Sequence, residues 1–213
     1  MAWSPLTNAT AVSNPGVAAT TGAIDTTGAT LIILAVTHAA AGGTAVITDS
    51  QSNSWTALTA QDDGSGGRLQ FFYKINPSTS ATHTFTAGAQ AAFGFAMIVA
   101  SFKGTTTFTS ENGANSGSFT GNITTTSDGQ LVVGAGCATV GNGAFLSTVT
   151  AALGGNVAKI TVSGGNHLSL GMCYAYAFAS GSVVGMTFTD AGLDAVIAAF
   201  TATGSSGGSY GFA

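Results

Sequence analysis

The chain has 213 residues, of which only four are Lys or Arg and eight are Asp or Glu, and its net charge is −4. Four basic side chains cannot neutralise a row of phosphates or an anionic lipid surface, so neither nucleic acid nor a membrane surface is an expected partner. Apolar residues make up 45% of the chain, which is enough to bury a core and excludes a disordered protein.

Residues 1–16 contain few anchoring side chains apart from Trp3 and two prolines, and we predict that they form an N-terminal arm. They lack the basic and apolar regions of an export signal. The chain also lacks a run of 18 apolar residues that would cross a membrane as a helix. We therefore expect neither export nor a membrane partner.

Residues 17–203 are rich in Thr, Val, Ile, Phe, Gly and Ser and poor in Glu, Lys, Arg and Leu, a composition that favours strands and turns. Short strand-like runs recur between clusters of Gly, Asn, Asp and Ser. The predicted strands span residues 29–38, 44–48, 54–60, 68–75, 82–86, 93–102, 116–124, 130–139, 145–150, 157–162, 167–179, 183–189 and 194–202.

Alternation within these strands predicts which faces are buried. In the strand at 68–75, Leu69, Phe71 and Tyr73 share one face. In the strand at 167–179, one face is large and apolar and the other is small, which predicts a strand covered on both sides. The large residues are Leu168, Leu170, Met172, Tyr174, Tyr176 and Phe178, and the small ones are Ser169, Gly171, Cys173, Ala175 and Ala177.

The predicted fold class is all-β, a two-sheet antiparallel β-sandwich over residues 17–203. The number of strands exceeds the seven of an immunoglobulin-like domain, so a jelly-roll-like sandwich with extra strands fits better. We recognise no repeat of fixed period in the sequence.

Residues 204–213 are predicted to form a flexible, Gly/Ser-rich C-terminal tail that ends in aromatic residues. Two interpretations remain open, a disordered terminus or an arm that docks Tyr210 or Phe212 on a neighbouring subunit. Together with Trp3, these two aromatic residues are the predicted partner contacts.

The reactive side chains form no readable site. Cys137 and Cys173 are flanked by small and apolar residues, so we predict two buried small hydrophobes rather than a disulfide or zinc ligands. The isolated His38, His83 and His167 have no readable general-base partner.

Two other short motifs also fail to indicate chemistry. The sequence GSSGG at 204–208 matches the nucleophile-elbow pattern but has no helix after it. The DDG turn at 62–64 is predicted to be a solvated turn, with a calcium site as the alternative. We therefore predict no catalytic residue, no cofactor and no metal site.

The most distinctive segment is ITDSQSNSWT at 47–56, followed by FYKINP at 72–77, HTFT at 83–86 and SDGQLVV at 127–133. In this order the chain resembles a group of β-sandwich proteins found in bacteriophage genomes and in bacterial and metagenomic sequence, over residues 30–202. These proteins have Gly where this chain has Ser52. The resemblance transfers no catalytic residue and implies a jelly-roll-like fold and a virion or surface role.

We predict a non-enzymatic structural protein of a bacteriophage virion, assembled in the host cytoplasm. A capsid decoration (cement) protein or a head or tail fibre module is expected, bound to copies of itself and to other virion proteins such as the major capsid protein. The resemblance implies a homotrimer. The alternative is a carbohydrate-binding, lectin-like β-sandwich that attaches to a host glycan through aromatic residues.

Overall fold

The computed structural model describes residues 3–38, 43–62, 67–88, 94–104, 107–115, 120–140, 149–151, 155–161, 167–176, 179–188 and 193–201. These residues form β-strands and turns throughout. No helix in those ranges is long and apolar enough to cross a membrane. The all-β prediction is confirmed.

The first half of the chain, up to residue 103, contains nine strands in two antiparallel sheets. The first major sheet has the order β1-β9-β3-β7-β5, with β6 also paired to β7, and the first minor sheet has the order β2-β8-β4. The strands are β1 (Ser4–Val12), β2 (Ala19–Thr20), β3 (Leu31–His38), β4 (Ile47–Asp49), β5 (Thr56–Ala57), β6 (Gln61–Asp62), β7 (Arg68–Ile75), β8 (Phe85–Ala87) and β9 (Phe95–Lys103).

The second half, from residue 107 to 201, has the same organisation. The second major sheet has the order β10-β18-β12-β15-β14, and two further pairs, β11-β16 and β13-β17, form the second minor layer. The strands are β10 (Thr107–Ala114), β11 (Ile123–Thr124), β12 (Leu131–Val140), β13 (Val149–Ala151), β14 (Gly155–Thr161), β15 (His167–Tyr176), β16 (Val183–Val184), β17 (Met186–Phe188) and β18 (Leu193–Thr201).

The two halves are a structural repeat. In each major sheet the first strand pairs with the last, which pairs with a long central strand, as in β1-β9-β3-β7 and β10-β18-β12-β15. Leu31 pairs with Phe102, and Leu131 pairs with Phe200, so these positions match. The repeat is not apparent in the sequence because most matching positions differ in residue identity.

The strand pairing in each half is nested. β1 pairs with β9, β2 with β8 and β3 with β7, and the second half repeats this with β10 and β18, β11 and β16, and β12 and β15. This nesting agrees with the predicted jelly-roll-like winding, whose complete strand order stays a prediction.

The two major sheets pack face to face around a central cluster, which agrees with the predicted antiparallel β-sandwich. Matching residues of both halves supply the cluster, which buries large side chains worth about 1.5–3 kcal/mol each. The matched pairs are Leu31 and Leu131, Ile33 and Val133, Ala35 and Ala135, Leu69 and Leu170, Phe71 and Met172, Ile98 and Val196, Ala100 and Ala198, and Phe102 and Phe200.

The outer face of each major sheet is also apolar, because a minor layer covers it. Ile32, Leu34 and Val99 of the first half pack with Phe85 of the first minor sheet. In the second half, Val132, Cys173 and Ile197 of the major sheet pack with Met186 and Phe188 of the second minor layer. The major sheets are therefore buried on both faces, as the alternation of large and small residues predicted.

Aromatic side chains of the two halves make reciprocal contacts at the edges of the central cluster. Tyr73 of the first half meets Phe200 of the second, with ring centroids 5.4 Å apart and an interplanar angle of 71°. Tyr174 of the second half meets Phe102 of the first at 5.6 Å and 75°. Such an exchange of matching contacts is isologous, like the interface of a two-fold dimer.

Several predictions about individual strands and residues are confirmed. The strand predicted at 68–75 is β7, with the same bounds. In β15, Leu170 and Met172 face the central cluster, whereas Cys173 and Ala175 face the second minor layer. Cys137 and Cys173 are both buried and are not joined in a disulfide, as predicted.

Two long strands were not predicted, and they occupy matching places. β1 and β10 are edge strands rich in Ser, Thr and Asn, and their residues are largely exposed or half-buried. Such strands lack the apolar alternation that identifies a buried strand. β1 falls within the segment predicted to be an N-terminal arm.

Glycine at two positions of β12 gives the second half a different internal packing. Gly134 and Gly136 match Leu34 and Val36 of the first half. A Cβ atom at Gly136 would overlap the ring of Phe188. The glycine therefore makes room for a large side chain of the minor layer.

We predict that Gly136→Ala lowers the free energy of unfolding by about 1–3 kcal/mol, because Phe188 is held within a packed core and cannot move aside. Gly22→Ala is the matched control, since a Cβ at Gly22 meets no atom within 4 Å. Urea unfolding of both variants measures the difference, and equal stabilities of the two would contradict the prediction.

Candidate functional site

A buried polar group lies where the loop after β4 approaches β8. The Asp49 Oδ1 atom accepts the backbone N–H groups of Gln51 at 2.7 Å and of Asn53 at 3.2 Å. This turn holds Ser52 at a φ of 56°, in the left-handed region. Glycine adopts this conformation without steric cost, whereas Ser52 adopts it with a side chain.

His83 joins Asp49 to the first minor sheet. Its Nε2 atom lies 3.4 Å from Asp49 Oδ1, and its Nδ1 atom lies 2.9 Å from Thr26 Oγ1. The imidazole ring stacks on Phe85 with centroids 4.2 Å apart. We call Thr26, Asp49 and His83 the polar cluster.

The imidazole of the polar cluster is shielded from water. The side chains of His83 and Asp49 have 0% exposure. Burial lowers the pKa of His83, and the nearby Asp49 carboxylate opposes that shift without cancelling it. The fold therefore favours the neutral imidazole.

The order of acid, imidazole and hydroxyl in the polar cluster is that of a hydrolase triad, but its surroundings differ. A nucleophilic hydroxyl must reach a substrate. Thr26 is fully buried, and its Oγ1 both donates to the Ser80 carbonyl and accepts the Ser80 N–H, each at 3.2 Å. This hydroxyl ties two loops of the same chain together.

The second half contains the same threonine tie without the acid and the imidazole. Thr125 Oγ1 donates to the Ser182 carbonyl at 3.2 Å and accepts the Ser182 N–H at 3.0 Å. Val184 takes the place of His83, because it pairs with Ile123 as His83 pairs with Ile24. The nested strand pairing of the second half therefore forms without an Asp–His pair.

A second candidate site is a depression of about 230 Å³ at the edge of the central cluster. Its walls come from β1, β9 and β15, and the bulge of β1 between Pro5 and Thr7 shapes one side. Sites for drug-sized ligands occupy roughly 300–1,000 Å³, so this depression suits a group of one ring. It is lined by Pro5, Leu6, Thr7, Asn8, Ala100, Ser101, Phe102 and Tyr174.

The predicted partner contacts fall in two places. Trp3 is 6% exposed, packs in the central cluster and donates from Nε1 to the Gly129 carbonyl at 2.9 Å, so it joins the two halves of its own chain. Tyr210 and Phe212 lie outside the described residues, as does the GSSGG motif. Partner contact by these three aromatic residues stays a prediction.

No general-base partner of the histidines can be read from the sequence, but the structure places His83 beside a carboxylate. His83 pairs with Asp49, which lies 34 positions earlier. Only the pairing of β4 with β8 brings them together, and no sequence spacing signals it. His38 is buried against Phe95, and the side chain of His167 lies outside the described part.

The described part of the chain contains no group of three His, Cys, Asp or Glu side chains that could hold a metal ion. Asp63, the middle residue of the predicted DDG turn, lies outside that part, and the calcium alternative stays untested.

No protein-family model, no curated protein and no solved structure matches this chain. The resemblance to bacteriophage β-sandwich proteins therefore stays a prediction.

We predict that the protein loses stability as the pH falls from about 7 to 5, because of His83. The folded state holds the pKa of this imidazole below its unfolded value of about 6.5, so the unfolded chain binds more protons in this range. In His83→Val, the residue that the second half has at the matching position, this loss should disappear. Urea unfolding at several pH values measures it, and equal pH slopes for the two proteins would refute it.

Proposed function

We propose that this chain is a non-enzymatic structural protein of a bacteriophage virion, either a capsid decoration (cement) protein or a module of a head or tail fibre. It associates with copies of itself, as a homotrimer, and with other virion proteins such as the major capsid protein. The residues after β18, with Tyr210 and Phe212, contribute to these contacts.

The observation that carries the proposal is the edge strand β1. Its residues Thr7–Val12 carry no charge, and Asn8, Thr10 and Val12 are exposed. Natural proteins guard edge strands with charges, prolines or bulges, since an unguarded edge pairs with another chain. Here Pro5 and the bulge guard only the start of the strand. The rest is suited to strand addition or side-by-side packing.

The use of the carboxylates supports a non-enzymatic role. Asp25 accepts the N–H of Thr27, and Asp128 accepts the N–H of Ser180. Glu111 accepts two hydrogen bonds from Thr59, and Asp49 belongs to the buried polar cluster. These carboxylates hold loops of the chain itself, whereas glycoside hydrolysis needs two that converge on a substrate.

The alternative function is that of a carbohydrate-binding module. The depression beside Tyr174 supports this alternative better than a flat surface would. A half-buried tyrosine there adjoins Asn8 and Thr7, which offer amide and hydroxyl groups. Phe71 and Phe72 are buried, so neither ring is available to stack on a sugar at the surface. Binding of the full chain to a glycan array would favour this alternative, and binding to purified capsids would favour the virion role.

We predict that Thr10→Lys weakens self-association at least tenfold, because a charge on the exposed edge opposes the approach of another strand. Analytical ultracentrifugation over a range of protein concentrations measures the association constant. The matched control is Ser54→Lys, which adds the same charge at an exposed position outside the strands.

Urea unfolding should give the same stability for Thr10→Lys as for wild type, since residue 10 is exposed. Association of Thr10→Lys as tight as that of the control variant would argue against the edge as the contact surface. A wild-type chain that stays monomeric and does not bind capsids would remove the proposed function altogether.

A further inference from the structure

The structural repeat allows each surface feature of one half to be compared with its counterpart in the other. Pro5 of β1 pairs with Phe102, and Phe108 of β10 pairs with Phe200. Each of these pairs is followed by a bulge at the same place. Phe108 is therefore the counterpart of Pro5.

In the second half, Phe108 fills the space at the edge of the central cluster. Its ring stacks on Tyr73 with centroids 5.4 Å apart and an interplanar angle of 19°. It also meets Phe200 at 5.9 Å and 66°. Three rings thus form a closed aromatic group, in geometries that are favourable for aromatic pairs.

The counterpart of this group contains only two of the three rings. Tyr174 matches Tyr73, because Val133 pairs with Tyr174 as Ile33 pairs with Tyr73. Phe102 and Tyr174 meet edge to face, but proline stands where the third ring would be. Pro5, Phe102 and Tyr174 all line the depression described above. The depression therefore corresponds to the space that the Phe108 ring fills.

We infer that this depression binds an aromatic side chain of a second copy of the chain, which stacks on Tyr174 as Phe108 stacks on Tyr73. The size of the depression, about 230 Å³, suits one ring. Ser101 lies at its wall, but the Ser101 hydroxyl is engaged with the N–H and the carbonyl of Thr7, both at 3.2 Å. The lining thus offers both apolar and polar contacts, and the Tyr174 and Phe102 rings supply the aromatic part of it.

The chain itself contains suitable donors. Tyr210 and Phe212 are the aromatic residues beyond β18, in a segment otherwise made of Gly, Ser, Ala and Thr. Tyr210 lies nine positions after Thr201, a length that spans at most about 30 Å. The depression also adjoins β1, the edge at which the proposed function places contacts between copies.

The inference rests on the proposed function in one respect, which is that copies of the chain associate with each other. The first test substitutes the acceptor: Pro5→Phe supplies the third ring from within the chain and fills the depression. We expect its self-association to fall at least tenfold, with a stability equal to or above that of wild type. Pro5→Ala, which leaves the depression open, is the matched control and should associate like wild type.

The second test removes the donors and then restores the contact between two defective proteins. Tyr210→Ala/Phe212→Ala keeps an open depression but has no ring to donate, so it should also associate at least tenfold more weakly. An equal mixture of this variant with Pro5→Phe combines open depressions with intact donors, and heterologous pairs should form. Analytical ultracentrifugation with one variant fluorescently labelled detects them.

The outcomes separate this inference from the proposed function. If Pro5→Phe associates like wild type while Thr10→Lys does not, the inference fails and the edge contact stands. If Pro5→Phe dissociates while Thr10→Lys does not, the inference stands and the edge contact fails. A mixture that forms no heterologous pairs would overturn the second copy as the source of the ring.

Discussion

The packing of the two major sheets against each other is the constraint on which the rest of the molecule depends. Matching residues of the two halves build one shared cluster, and the reciprocal contacts of Tyr73 with Phe200 and of Tyr174 with Phe102 close its edges. Each major sheet then has a minor layer on its outer face. Antiparallel sheets commonly keep one face in water. Here both faces are covered, which accounts for a mean hydropathy of +0.41 and a charged fraction of 6%.

Because both faces of each major sheet are covered, few strand positions can hold a charged side chain. The polar side chains therefore form hydrogen bonds mainly between loops. The same threonine tie closes both halves, through Thr26 in the first and Thr125 in the second. The first half adds Asp49 and His83 to its tie, and the second half has Val184 in place of the histidine. The contact between Asp49 and His83 is absent from the second half, so the nested strand pairing of a half does not depend on it. It makes the first half sensitive to pH, because a buried imidazole resists protonation.

The fold class and the buried strands could be predicted from the sequence, whereas the repeat and the sites could not. Alternation in Leu69, Phe71 and Tyr73 reflects burial directly, so it identified β7 with its bounds. Strands β1 and β10 escaped prediction because an edge strand keeps polar residues on the side that faces water. The repeat is carried by strand pairing, which tolerates replacement of Phe by Pro or Leu by Gly. Residues 34 positions apart, Asp49 and His83, meet only through that pairing.

A repeat within one chain makes the differences between its halves informative. Where the two halves have the same contact, as in the threonine ties, the contact belongs to the winding of the fold. Where the two halves differ, one half shows how the fold can complete a contact, and the other half lacks that contact. Phe108 closes an aromatic group, and Pro5 leaves its counterpart open. The two halves of the chain are related like the partners of a two-fold dimer. Because the edge of the central cluster is filled in one half and open in the other, the two edges are not equivalent. Copies of the chain that associate through the open edge therefore do so in one direction. Contacts made in one direction are heterologous, and heterologous contacts close into rings or extend along a lattice. Both arrangements agree with the assembly role proposed above.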